Sequence, residues 1–139
     1  MAVVSTYSDK KLEPGMPFQD DTISVAFAPS QNIARGTVLG IITASGLYKA
    51  YASGSADGSQ IPKALCIYDI QVDASGNVTY SGTAGQVGNE FGIQQANAPV
   101  RIRGTALIAD LVGLDATALT NQPAWILQGT LSGGGYLQL

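Results

Sequence analysis

The stretch TVLGIITASGLYKAYA, residues 37–52, decides the fold class because it contains two apolar runs joined by a short link. β-Branched and aromatic residues, which favour strands, occur in the runs, and the link Ala44-Ser45-Gly46 supplies a glycine for a tight turn. The stretch therefore predicts a β-hairpin with strands over 37–43 and 47–52.

The same signals predict further strands on both sides of this hairpin. They are residues 23–27, the apolar run 64–72 as one buried strand, and residues 78–80 after a turn over 73–77. The glycine-rich segment 81–98 predicts a loop.

The segment Val100-Arg101-Ile102-Arg103 alternates strictly, which predicts a strand with its apolar residues facing inward and both arginines on the other face. We expect this strand to continue through 106–108. Residues 114–120 predict one short helix, because Asp115 near its start suits the exposed N–H groups of a first turn. The elements together predict a mainly β fold, a compact small β-sandwich or β-barrel with one short helix and an extended N-terminal arm.

Composition narrows the classes of function. The 139 residues predict one domain, and charged residues make up only 12%, against ~25% in an average soluble protein. The chain has no histidine, the commonest general base and metal ligand, and its single cysteine, Cys66, cannot form an intrachain disulfide. The net charge of −3 offers no basic footprint for a nucleic acid. We therefore expect no metal, no cofactor and no nucleic-acid partner.

A membrane partner is not expected either, since no apolar stretch approaches the ~18 residues of a membrane-spanning helix. The first residues lack the basic start and the long apolar run of a cleaved signal peptide. Carboxylates remain as candidate acid–base groups, and Asp57, Asp69, Asp73 and Glu90 lie in or near loops. Solvated surface is the simpler explanation of these residues, so we predict no catalytic constellation and no enzyme.

Residues 1–22 differ from the rest of the chain. They carry six of its 17 charges, and Pro14, Gly15 and Pro17 interrupt both helix and central strand. The apolar residues of the segment show no clear period, so a partner surface could bury them; these include Val3, Val4, Tyr7, Leu12 and Phe18. We interpret 1–22 as an extended arm, either docking on a partner or frayed, and 23–139 as a single β-rich domain.

The other end of the chain has no charged residue after Asp115. It includes the apolar run Trp125-Ile126-Leu127, and a solvated tail of this composition would aggregate. The run is therefore predicted to belong to the core or to an interface between copies of the chain, where charges are depleted.

An ordered set of short motifs resembles the phage head decoration protein family. Each motif alone is weakly specific, and the set spans roughly 35–119. The motifs are RGTVLG over 35–40, SGLYKAY over 45–51, DGS over 57–59 leading to ALCI over 64–67, and VRIRG over 100–104 with LVGLD over 111–115.

The resemblance implies a non-enzymatic structural protein of the virion. Members of that family are small β-rich subunits that trimerise on the outside of an expanded icosahedral capsid and cement its neighbouring subunits. The resemblance also implies that the N-terminal arm orders on the capsid. The expected partners are the major capsid protein and further copies of this chain, with synthesis in the host cytoplasm and a final location on the capsid exterior.

Two other classes of function stay open at this stage. One is a β-rich virion fibre or baseplate domain, or another module that binds carbohydrate, for which Tyr48 and Tyr51 near Asp57 would supply aromatic and polar contacts. The other is a hydrolase that uses paired carboxylates.

Overall fold

The computed structural model describes residues 21–81 and 96–139. Strands dominate this part of the chain, which confirms the predicted mainly β fold. In chain order the elements are β1 (Asp21–Val25), β2 (Gln31–Ile33), β3 (Val38–Ile41), β4 (Tyr48–Ala50), β5 (Pro62–Cys66), β6 (Asp69–Val72), β7 (Val78–Ser81), β8 (Ala98–Arg103), β9 (Thr105–Leu107), a 3-10 helix (Ile108–Asp110), α1 (Ala116–Asn121), β10 (Ile126–Thr130) and β11 (Gly134–Gln138).

The strands of these two described ranges form three open antiparallel sheets. The largest has five strands in the order β1-β8-β5-β3-β4, and the two smaller sheets have the orders β10-β11-β9 and β2-β6-β7. Within the described residues no sheet closes on itself, so open layered sheets rather than a barrel describe this fold.

Two apolar clusters lie on opposite faces of the five-stranded sheet. Successive residues of a strand point to opposite faces, and accordingly Leu39 and Cys66 join one cluster while Val38 and Leu65 join the other. The β2-β6-β7 sheet supplies residues to the first cluster, and helix α1 and the β9–β11 sheet supply residues to the second. The five-stranded sheet is therefore the central layer of the fold.

The prediction of one buried strand over 64–72 is wrong. β5 ends at Cys66 in the five-stranded sheet, and β6 begins at Asp69 in the β2-β6-β7 sheet. Between them the Cys66 thiol donates a hydrogen bond to the Tyr68 carbonyl at 2.9 Å. An apolar run indicates that its residues are buried but does not indicate which sheet they join. The hydrophobicity of 64–72 therefore gives no sign that the chain leaves one sheet after β5 and enters another at β6.

The predicted hairpin and the predicted turn are confirmed. β3 pairs with β4, and the Gly46 N–H donates to the Ile42 carbonyl at 2.8 Å with Gly46 at a φ of 75°. β6 pairs with β7 around the 73–77 turn, where Asp73 Oδ1 accepts hydrogen bonds from the N–H groups of Ser75 at 2.9 Å and Asn77 at 2.8 Å.

The alternation along β8 is also confirmed, with Val100 fully buried and Arg103 exposed. The strand does not continue as predicted, because Gly104 has a φ of 134°, a conformation that is open to glycine and strained for other residues. After this corner, residues 105–107 form β9 in a different sheet, and the 3-10 helix begins at Ile108.

The remaining boundaries differ slightly from the predicted ones. β1 begins at Asp21 and pairs with β8 from its first residue, so Asp21 and Thr22 of the predicted arm lie in a strand; it ends at Val25, before the predicted limit of 27. The predicted 81–98 loop loses its ends to β7 and β8, and 82–95 lie outside the described residues. The helix is confirmed as α1, with Asp115 accepting from the Ala118 N–H at 2.7 Å as its N-cap.

Candidate interaction surfaces

Cys66 is not placed for nucleophilic chemistry. Its side chain is 2% exposed inside the first apolar cluster, and burial raises the pKa of the thiol to about 12. The reactive thiolate is therefore not populated near neutral pH.

Asp57 is engaged in a local turn and an ion pair. It accepts hydrogen bonds from the Ser59 hydroxyl at 2.6 Å and the Ser59 N–H at 3.0 Å, and it lies 3.3 Å from Lys49 Nζ. The bonds from Ser59, with a smaller contribution from Lys49, lower the pKa of Asp57 to about 2. This carboxylate stabilises the loop that follows β4, and its low pKa does not suit a general acid.

The other candidate carboxylates have local roles as well. Asp69 Oδ1 accepts a hydrogen bond from the Arg35 N–H at 2.8 Å, and Asp73 closes the 73–77 turn. Glu90 lies outside the described residues. In the part of the chain that the structure describes, no group of three or more His, Cys, Asp and Glu side chains is placed to hold a metal ion.

Tyr48 and Tyr51 are buried rather than displayed to a ligand, at 9% and 8% exposure. Tyr48 packs in the first cluster, and Tyr51 belongs to the second, where its hydroxyl donates to Asp115 Oδ1 at 2.8 Å. Burial first, and then this bond to Asp115, raise the pKa of Tyr51 to about 12. The two rings therefore do not form the aromatic platform that a carbohydrate site would need.

The predicted arm precedes and overlaps the start of β1 in the sequence. Its candidate contact residues, Val3, Val4, Tyr7, Leu12 and Phe18, lie outside the described residues. The first described residue, Asp21, forms an ion pair with Arg103 at 3.0 Å, and β1 is the outer strand of its sheet among the strands of 21–81 and 96–139. Ile23 in this strand is 41% exposed, so the arm leads into a partly solvated edge.

The structure places the apolar run 125–127 on two sides of one sheet. Trp125 is 7% exposed in the second cluster, and the half-buried Leu127 packs against that cluster. Ile126, between them, is 50% exposed. Trp125 and Leu127 therefore lie with the core, and Ile126 lies on the solvent side.

The solvent side of the β9–β11 sheet forms a continuous surface without charge. Tyr136 lies opposite Leu107 on β9 and opposite Gln128 on β10, and Ile126 lies opposite Gln138, so the register places these residues on one face. Leu107, Ile126 and Tyr136 are 47%, 50% and 51% exposed. We call this surface the uncharged face; its members are Thr105, Leu107, Ile126, Gln128, Thr130, Gly134, Tyr136 and Gln138.

A groove of about 640 Å³ lies beside β9, with Leu107 among its lining residues. Arg35, Arg101 and Asp110 also line it, so the groove is charged where the neighbouring sheet face is not. Thr105 Oγ1 is buried and has no hydrogen-bond partner in the described structure. The groove marks the boundary between a charged and an uncharged surface.

Sequence reasoning named Ile126 and did not group it with Leu107 and Tyr136. The missing signal was the β10–β11 hairpin, whose turn over 131–133 precedes Gly134 and Gly135. A Gly-rich link between two uncharged runs could have indicated it. The pairing of β11 with β9, by contrast, joins residues about 30 positions apart and has no local signature.

Comparison with known proteins gives one match. The profile of the family described as bacteriophage lambda head decoration protein D matches residues 17–89, just over half of the chain. No curated protein and no solved structure matches the chain. None of the helices among the described residues is long and apolar enough to cross a membrane. The chain belongs to the phage head decoration protein family, and its role is to decorate a phage capsid on the exterior of the virion.

Proposed function

We propose that this chain binds the outer surface of an expanded phage capsid as homotrimers and cements neighbouring capsid subunits. The partners are the major capsid protein and two further copies of the chain. Residues 1–20 of the predicted arm act as the capsid-binding arm. Asp21 and Thr22, which lie in β1, belong with 23–139 to a single β-rich body whose role is structural rather than enzymatic. Membership of the head decoration family supports the proposal.

The observation that carries the arm's role is the position of β1. Among the described strands it is the outermost of its sheet, and its exposed residues make it a minor contributor to the core. Among the described residues, those that form the two clusters or pack against them begin at Val25. A body that starts at Asp21 therefore contains the described elements that bury both clusters, which supports a role for residues 1–20 in binding a partner.

An extended arm suits attachment to a capsid. A strand added to the edge of a capsid sheet gains main-chain hydrogen bonds, and apolar residues such as Val3, Val4 and Tyr7 would fill pockets beside it. Ordering the arm costs conformational entropy, so each attachment is weak. Three arms on one trimer bind together, which raises the overall affinity without new contacts.

Deletion of residues 1–20 tests this proposal. We expect the truncated chain, starting at Asp21, to keep its circular dichroism spectrum and melting temperature and to lose most co-sedimentation with undecorated expanded capsids. A matched control carries the same 20 residues in shuffled order, which preserves arm length and charge. Full binding by the truncated chain would contradict the arm's role, and loss of the fold would show that the arm belongs to the body.

A further inference from the structure

The uncharged face combines apolar exposure with a complete absence of charge. Three large side chains about half exposed, Leu107, Ile126 and Tyr136, lie side by side across three strands. The other members of the face are threonines, glutamines and a glycine. Surfaces of this composition are typical of contacts between proteins, because burying them leaves no charge desolvated and unpaired.

The adjoining edge of the sheet is also unprotected. In the part of the chain that the structure describes, β10 is an outer strand, and its residues Gln128, Gly129 and Thr130 are exposed. Outer strands are normally guarded by charged residues or proline, since their free N–H and C=O groups attract other strands. The sequence of β10, Ile-Leu-Gln-Gly-Thr, contains neither.

We propose that the uncharged face and the β10 edge beside it bind a second copy of this chain. The inference rests on the proposed function, and it names the surface through which the copies of the trimer meet. In a cyclic trimer each subunit uses two different patches, one to give and one to receive the contact. The face and the edge are two different patches on one sheet, and neither carries a charge. The face offers apolar side chains, and the edge offers N–H and C=O groups to a strand of the neighbouring copy, so the contact meets no charge repulsion.

The size of the surface predicts where the contact forms. Three side chains about half exposed make a small apolar patch, and even the largest apolar patch on a typical monomer is only about 300–600 Å². A stable interface buries ~800 Å² on each partner. The contact should therefore be weak in free solution and strong on the capsid, where the arms hold the copies side by side at high effective concentration.

Site-specific photocrosslinking tests the inference. Ile126 is replaced by a benzophenone-bearing phenylalanine, and Val112, equally exposed at 50% but outside the uncharged face, is replaced in a matched control. Both chains are bound to undecorated expanded capsids and irradiated. We expect copy-to-copy adducts from position 126 and none from position 112. Adducts of position 126 with the capsid protein, with copy-to-copy adducts absent, would overturn the inference.

The same irradiation in free solution at high protein concentration separates this inference from the proposed function. Copy-to-copy adducts from position 126 there, with no binding to capsids, would support the contact and contradict the proposed function. Binding to capsids with no copy-to-copy adduct in either condition would support attachment to the capsid and contradict the contact between copies.

A charge on the uncharged face provides a second measurement. Tyr136→Lys should keep its melting temperature, lose the cooperativity of capsid binding and raise the half-saturation concentration about tenfold, which corresponds to ~1.4 kcal/mol. The matched variant Val112→Lys should bind as the unmodified chain does. Unchanged cooperative binding by Tyr136→Lys would overturn the inference.

Discussion

The outer strands of the five-stranded sheet carry charged residues, and those of the β9–β11 sheet do not. At one outer strand Asp21 pairs with Arg103 at 3.0 Å, and at the other Lys49 lies 3.3 Å from Asp57. The outer strands β9 and β10 contain no charged residue. Because charge on an edge opposes pairing with other strands, this difference supports the proposed contact between copies at the β9–β11 sheet and the separate, proposed attachment through the arm.

The two faces of the β9–β11 sheet differ as much as the edges do. In β11, Leu137 is fully buried against the second cluster, whereas its neighbour Tyr136 is 51% exposed. The inner face therefore stabilises the body, and the outer face is exposed to solvent. Substitutions on the two faces should separate these effects.

The largest expected effect is on the inner side. Trp125→Ala should lower the free energy of unfolding by about 3–5 kcal/mol, because it removes a buried aromatic side chain from the second cluster. Ile126→Ala, on the outer face, should change it by no more than about 0.5 kcal/mol. Chemical denaturation of both variants makes the comparison. Equal stability of the two would contradict the assignment of the faces.

The next effect concerns the bond that joins the five-stranded sheet to α1. Tyr51→Phe removes the hydrogen bond to Asp115 and should cost about 1–3 kcal/mol. The raised pKa of Tyr51, about 12 against an ordinary 10.0, means that its stabilisation is complete below pH ~10 and is lost as the pH rises toward 12.

Unfolding measured from neutral to alkaline pH checks this expectation. The variant should lack the alkaline loss of stability that Tyr51 contributes, and Tyr136→Phe, which alters an exposed hydroxyl, should behave as the unmodified chain does. If Tyr51→Phe loses stability at alkaline pH to the same extent as the unmodified chain, the proposed contribution of the Tyr51 hydroxyl is contradicted.

A smaller, pH-dependent effect is expected at the charged edge beside β4. The pKa of Asp57 is about 2, below its ordinary 3.8, so its stabilisation is present above pH ~4 and is lost as the pH falls through 2. Asp57→Asn should lower the melting temperature at neutral pH and flatten the acid limb of the stability curve. Asp110→Asn, at an exposed carboxylate, is the control. Identical acid limbs for Asp57→Asn and the unmodified chain would rule out this role.

The smallest effect is expected from the ion pair on β1. Asp21 and Arg103 are largely exposed, so a double-mutant cycle with Asp21→Asn and Arg103→Gln should give a coupling of ~0–1 kcal/mol that decreases with salt. A coupling above about 2 kcal/mol would contradict the expectation that this exposed ion pair contributes little to the stability of β1.

Much of the fold was predictable because its signals are local. The hairpin around Gly46, the turn capped by Asp73, the alternation along β8 and the N-cap at Asp115 each depend on residues within a few positions of one another. These features were predicted, with boundaries shifted by one or two residues at several ends.

The partition into sheets was not predictable in the same way. The chain changes sheet after Cys66 within a largely apolar segment, and it turns at Gly104 within a segment of alternating residues. In both places the pattern of hydrophobicity continues unchanged, so it does not indicate the end of a strand. The uncharged face depends on the pairing of β11 with β9, which is a long-range contact. The sequence thus indicated an apolar C-terminal stretch without showing that its residues divide between core and surface.

Cryo-electron microscopy of expanded capsids decorated with the full chain tests the central claim most directly. The account predicts density on the outer surface in clusters of three, with the β9–β11 sheets of neighbouring copies in contact and residues 1–20 lying on the capsid. Density for isolated single copies, without clusters of three, would contradict it.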